Sequence, residues 1–129
     1  MKKNIGLGLE TPKETCDDKK CPFHGEINIK PETFVGKIIK KDVSRTATIE
    51  WSRNIYVKKY ERYDKKRSRL KAHNPLCLKA EIGDQVMVAR TRPLSKTKHF
   101  VIVKIVKKAE EEQKGKKPAT PQKTEVPKK

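Results

Sequence analysis

The chain has 129 residues, 38% of them charged and 33% hydrophobic, with a formal net charge of +17 at neutral pH. That length allows one modest domain plus tails, and its apolar content closes a small core without leaving much for a substrate cavity. So large a positive excess calls for a polyanionic partner, nucleic acid first among them, and excludes a protein built to repel polyanions.

An anionic membrane is the competing partner, but no stretch approaches the roughly 20 apolar residues of a span, and no amphipathic anchor is evident. The opening MKKNIGLGLE has lysines but no apolar region long enough for a secretory leader, and three cysteines, an odd number, do not suit a secreted disulfide framework. The expectation is a soluble cytoplasmic protein. Met1–Thr15 alternates Ile5, Leu7 and Leu9 around Gly6 and Gly8, as an extended arm along RNA or a neighbouring protein would; a disordered end is the other reading.

Cys16–His24 reads C-D-D-K-K-C-P-F-H. Two thiols and an imidazole in one short loop suit zinc, which takes four such ligands in a tetrahedron. Cys77, in a loop bent by Pro75, supplies the fourth. A site of Cys16, Cys21, His24 and Cys77 would be structural, because no coordination position stays open, and would clip the N-terminal extension to the domain. Inert buried cysteines and a Cys16–Cys21 disulfide compete with this reading, although a reducing cytosol disfavours the disulfide. Nucleophile chemistry is disfavoured by Asp17 and Asp18, which oppose a thiolate.

Strand signals follow. Gly25–Lys30 alternates Ile27 and Ile29; Pro31 and Glu32 break it; Thr33–Lys41 resumes with Gly36 inside, where a sheet curls into a barrel. Thr46–Ser52 alternates most cleanly, with Ala47, Ile49 and Trp51 inward. Arg53–Lys71 is then dense in cations, opposed only by Glu61 and Asp64, with Tyr56, Tyr60 and Tyr63 interleaved. Lys and Arg neutralise phosphates, arginine does so with a bidentate fork, and tyrosine faces stack on bases. Lys58, Lys59, Tyr60, Arg62, Tyr63, Lys65, Lys66, Arg67, Arg69 and Lys71 are therefore candidate RNA contacts. The competing reading is a solvated helix whose tyrosines, at i, i+4 and i+7, pack it onto the domain. Ser68–Asn74 is a strand with Leu70 and Ala72 inward, and His73 outward beside the cations as a further RNA candidate.

Gly83–Val106 forms a hairpin: Gln85–Arg90 and His99–Val106 are β-branched and apolar, and the segment between them is cationic. Arg92, Ser95, Lys96 and Lys98 sit at its tip as candidate phosphate readers. From Lys107 onward the chain is charged and proline-bearing and cannot build a core, so it is expected to be disordered when free. The organisation expected is an extension with a zinc knuckle over 1–32, a β-barrel over 33–106 and a charged tail over 107–129.

The run G-D-x-V-x-V at Gly83–Val88, followed by R-P-L-S-K-T-K at Arg92–Lys98, resembles the signature of the seventeenth small-subunit ribosomal protein family. The likeness extends back to about Cys16, and C-P-F-H-G at Cys21–Gly25 places it with the archaeal and eukaryotic branch. Arg90 departs from the acidic or amide side chain of many members. The resemblance implies an all-β, five-stranded oligonucleotide-binding barrel with a long basic loop between strands two and three. It implies a structural constituent of the small ribosomal subunit that binds its rRNA and bridges RNA helices during assembly, ribosome-bound and beside other ribosomal proteins. A homo-oligomer, a small-molecule substrate and catalysis are not expected: no Ser-His-Asp order, phosphate-cradling glycine loop or carboxylate pair is evident. The alternative is a free-standing RNA binder or chaperone on the same barrel, which would carry stacking aromatics across a barrel face.

Overall fold

The computed structural model describes residues 5–109. Its regular elements are five strands, β1 (Thr33–Asp42), β2 (Thr46–Val57), β3 (Arg62–His73), β4 (Gln85–Arg90) and β5 (Lys98–Lys107). They close into a barrel in the order β1-β2-β3-β5-β4, with β4 returning to β1. Every pairing is antiparallel except β3 with β5. This is the expected all-β, five-stranded barrel. The expected disordered tail lies outside the described residues from position 110 onward, while Lys107 itself ends β5.

Alternation puts Ile38, Ala47, Ile49, Ala72, Val86, Val88 and Ile102 in one interior cluster, with Leu70 and Phe100 partly buried at its margin. Gly36 is required by close approach. A Cβ there would sit 2.6 Å from the Ile49 side chain and 2.9 Å from the carbonyl oxygen of Glu50, so β1 crosses β2 more tightly than any side chain allows. The Gly83-Asp84 pair has a matching role at the other edge of β1. Gly83, at φ +97°, donates its N–H to the Ile38 carbonyl, and the Asp84 carbonyl accepts the Ile38 N–H. The turn thereby steers β4 alongside β1 and closes the barrel.

Two expectations change. Gly25–Lys30 takes no place in the sheet: Ile27 is buried and Ile29 packs on the outside of the barrel, but the segment meets its neighbour through the Lys30 N–H to the Arg90 carbonyl. Its alternation records two burial contacts rather than a ladder. The basic stretch between strands two and three is also not a long loop. β2 and β3 pair without a register break from Thr46–His73 to Val57–Arg62, leaving the four-residue turn Lys58–Glu61, which Glu61 closes at φ 50°. The tyrosines lie on this ribbon and its turn, not on a helix.

A second cluster lies on the outer face of β4 and β5. Ala89, Val101 and Val103 are buried there beneath Ile5, Leu7, Leu9, Ile29 and Met87. The alternating N-terminal arm thus runs along its own barrel. Replacing Gly36 with alanine should lower the unfolding free energy by about 1–3 kcal/mol, the usual range for overpacking. Thermal unfolding is the measurement, and an unchanged midpoint would contradict the close crossing of β1 and β2.

Candidate nucleic-acid interface and metal centre

β1 pairs with β2 only as far as Glu50, and β5 meets β3 only from Lys71 onward. Beyond those points β2 and β3 have each other alone, and the hairpin runs out of the barrel for roughly 20 Å as a two-stranded ribbon. Its register sorts the side chains into two faces. One carries Lys71, Arg69, Arg67, Lys65 and Tyr63 of β3 opposite Thr48, Glu50, Ser52, Asn54 and Tyr56 of β2. The other carries Leu70, Ser68, Lys66, Asp64 and Arg62 opposite Ile49, Trp51, Arg53, Ile55 and Val57.

The first face is a file of four cations at two-residue intervals, a repeat of roughly 6.7 Å. That is comparable with the phosphate repeat along an extended nucleic-acid strand. Glu50 interrupts it: its carboxylate accepts from Arg69 Nε at 2.7 Å and lies 3.8 Å from Arg67. The pair is exposed on the arginine side, so it orients the guanidinium groups more than it stabilises the fold. At the far end the Tyr56 and Tyr63 rings meet with centroids 5.3 Å apart, and Lys59 lies over Tyr60 at 5.4 Å. Tyr56, Tyr60 and Tyr63 are 50%, 65% and 73% exposed, too open to be packing anchors. Lys58, Lys59 and Arg62 complete an exposed cationic tip.

The connection from β4 to β5 braces itself. Thr91 donates its N–H to the His99 carbonyl, Leu94 donates to the Lys98 carbonyl, and the Ser95 hydroxyl accepts the Lys98 N–H. Arg92, Ser95 and Lys96 remain exposed on this frame. Lys98 does not share the tip with them. It pairs with Lys71 at the start of β5 and is only 9% exposed, with burial and nearby Lys20 holding its ammonium pKa below the usual lysine value.

His73 is also displaced from its expected role. It stays on the outer face of β3, opposite the core-facing Ala72, but the knuckle covers it: Nε2 lies 2.6 Å from Asp18 and the residue is 3% exposed. Burial lowers its pKa, and the nearby charges of Lys98 and Lys20 add to that against the pull of Asp18. Burial alone would raise the Asp18 carboxyl, but the Lys20 amide, His73 and Arg45 outweigh it and hold it below the usual value. Asp18 thus ties the N-terminal knuckle to the barrel where the end of β3 meets the β1–β2 turn, through His73 and Arg45. The charged run Asp17–Lys20 shows an acid, but nothing local shows a partner 55 positions away.

The knuckle brings its four candidate ligands together. The donor atoms of Cys16, Cys21, His24 and Cys77 all lie within 4.8 Å of one another. Cys21 Sγ is 3.6 Å from Cys77 Sγ, and His24 Nδ1 is 3.4 Å from Cys16 Sγ and 3.5 Å from Cys21 Sγ. A tetrahedron with Zn–S bonds of about 2.3 Å has edges of roughly 3.8 Å, so the cluster has zinc-like dimensions. All three cysteines are free thiols. Burial, followed by mutual repulsion, drives the Cys77 thiol far above its usual pKa, and burial raises Cys21. A divalent cation at the centre would reverse both effects. Buried Phe23 packs with Cys21 and Cys77.

A groove of about 470 Å³ opens where β3 and β5 part, lined by Thr48, Arg69, Leu70, Lys71, Thr97, His99 and Phe100. Sequence reading does not mark it, because its walls come from three separate segments. Among the described residues no helix is long and apolar enough to cross a membrane.

Replacing Asp18 with alanine strands the buried His73 ring and should cost about 1–3 kcal/mol of stability. Binding of RNA should keep its salt dependence in that variant, measured by filter retention. A change in salt slope would return His73 to the interface.

Comparison with known proteins places this architecture. The model of the family described as Ribosomal protein S17 matches residues 36–104. Small ribosomal subunit protein uS17 of Methanopyrus kandleri is 42% identical over 111 residues, covering 86% of this chain and 94% of that protein. Its counterparts in Methanosphaera stadtmanae and Methanocaldococcus jannaschii are 43% and 45% identical over 101 residues, each covering 78% of this chain and respectively 95% and 86% of theirs.

Proposed function

Because the chain belongs to the ribosomal protein S17 family, we propose that it binds small-subunit rRNA through the ribbon of β2 and β3 and the loop between β4 and β5. It is a structural constituent of the small ribosomal subunit, and its work there is binding rather than turnover. The observation that carries the residue-level reading is the file Lys65, Arg67, Arg69 and Lys71 on one face of a paired ribbon. A strand-held row of cations meets phosphates with little ordering cost, whereas a flexible loop loses conformational entropy on binding.

The tip residues Lys58, Lys59, Tyr60, Arg62 and Tyr63 reach furthest from the barrel, and Lys66 faces the other side of the ribbon. Cations on both faces suit contact with two RNA segments at once, lowering their mutual repulsion. Arg92 and Lys96, with Ser95, form a second contact near the ribbon's base. Neighbouring ribosomal proteins and a cytoplasmic, ribosome-bound location go with this reading. Residues 1–32 then serve as an extension clipped to the 33–106 barrel, with 107–129 as a cationic tail.

We further propose that Cys16, Cys21, His24 and Cys77 hold one structural zinc, with His24 ligating through Nδ1. Bound metal would stabilise the thiolates and lock the knuckle onto the loop that carries Cys77. No reaction is assigned to it.

Reversing Lys65, Arg67 and Lys71 to glutamate should reduce affinity for a small-subunit rRNA transcript to the non-specific level, at an unchanged melting temperature. Neutralising any one of them should lessen the slope of log affinity against log salt by roughly 0.7–0.9. Full affinity in the triple variant would move the interface to Arg92–Lys96. For the metal, the purified chain should contain one zinc, and Cys77→Ser should lose most of it by elemental analysis. Equal zinc in both proteins would remove Cys77 from the ligand set.

A further inference from the structure

The groove between β3 and β5 has a construction that phosphate binding does not call for. Its floor is apolar, made by Leu70 and Phe100 where the barrel interior reaches the surface. The Phe100 ring is held edge-to-face against Phe34 at 5.9 Å, and Phe34 in turn stacks on Trp51 at 5.5 Å with 16° between the rings. Arg69 and Lys71 of β3 also line it, with Thr48 and Thr97. The volume, about 470 Å³, falls in the range of small-ligand clefts, roughly 300–1,000 Å³.

We infer that this groove receives a single unpaired nucleotide of RNA, its base lying against Phe100 and Leu70 and its phosphate meeting Arg69 and Lys71. The inference rests on the rRNA-binding reading above and adds a base-contacting subsite to it. Charge complementarity selects the occupant. An apolar side chain of a protein partner would fill the floor but leave Lys71, and the rest of the Arg69 guanidinium beyond its bond to Glu50, facing it. A nucleotide matches both the apolar floor and the cationic lining. β3 favours access as well, since from Arg62 to Leu70 it is paired on the β2 side alone. The groove also lies at the root of the ribbon, so a strand following Lys65, Arg67 and Arg69 arrives at it.

The test uses the full chain with two short oligomers of equal length, an oligouridylate and an abasic ribose-phosphate chain, measured by fluorescence anisotropy. The unaltered protein should bind the oligouridylate about 5- to 150-fold more tightly than the abasic oligomer, the effect of stacking one base. Phe100→Leu should erase that difference while keeping the abasic affinity. Thr97→Leu, at an exposed loop position that leaves the core untouched, should erase it by filling the groove with an aliphatic group that offers no ring to stack on. Equal affinity of the unaltered chain for both oligomers, weak or strong, overturns the inference. So does a preference that persists in both variants, which would place the base on the tyrosines of the tip. A small-subunit rRNA transcript run in parallel separates this from the broader reading: retained transcript binding with no base preference removes only the groove, whereas lost transcript binding removes the rRNA interface itself.

Discussion

One unbroken antiparallel ladder carries this protein. β2 and β3 are each 12 residues long, and their pairing starts inside the barrel and ends in solvent. The barrel half is anchored by Ile49 and Ala72 in the core. The outer half has no core of its own, and an isolated two-stranded hairpin is marginal in water. It inherits its geometry from the buried half through continuous register. The cation file, the tyrosine pair and the two-faced arrangement all follow from that continuity, because one slipped residue would exchange the faces.

The same ladder explains the charge distribution. The ribbon is a pair of unprotected edges, and exposed edges invite pairing with other chains. Lysine and arginine along β3 oppose such pairing in the free protein and offer phosphate contacts in the assembled one. The opposite outer surface of the barrel is handled differently. There Ala89, Val101 and Val103 form an apolar patch, and the arm carrying Ile5, Leu7 and Leu9 covers it. Asp18, bonded to His73 and Arg45, and the Cys77 cluster then fix the extension at the rim. One face of a small barrel is thus sealed by its own chain, and a different region projects its charge.

The aromatic residues divide in a corresponding way. Tyr56, Tyr60 and Tyr63 lie far from the barrel and are largely exposed. Phe34, Trp51 and Phe100 gather where the interior meets solvent and pack on one another, with Phe100 also against the aliphatic core. An open barrel end needs flat, bulky groups to close it, and such groups also present surface to a base. Aromatic material near a barrel face was a feature expected of a free-standing RNA binder. Here it coexists with the ribosomal family's pattern.

Much of this was legible in order along the chain. The two-residue alternation of Thr46–Ser52 and the β-branched, apolar run Gln85–Arg90 show strands, the run of cations shows a polyanion-binding surface, and the cysteine and histidine spacing shows a candidate knuckle. Each is a local pattern, written within a dozen residues by backbone periodicity or ligand reach. The ribbon was not legible as a ribbon, since Arg53–Arg67 lacks the apolar alternation that marks a half-buried strand; its register is imposed from Ile49 and Leu70. Sequence puts His73 beside surface cations and Lys98 at the hairpin tip, because charge is visible in sequence and burial is not. The floor of the groove and the Asp18 anchor join segments far apart in the chain; Cys77, which sequence could name as a ligand, reaches Cys21 only through the fold. Only closure of the barrel brings such groups within bonding distance, so the sequence determined the chemistry available and the tertiary structure decided which groups meet.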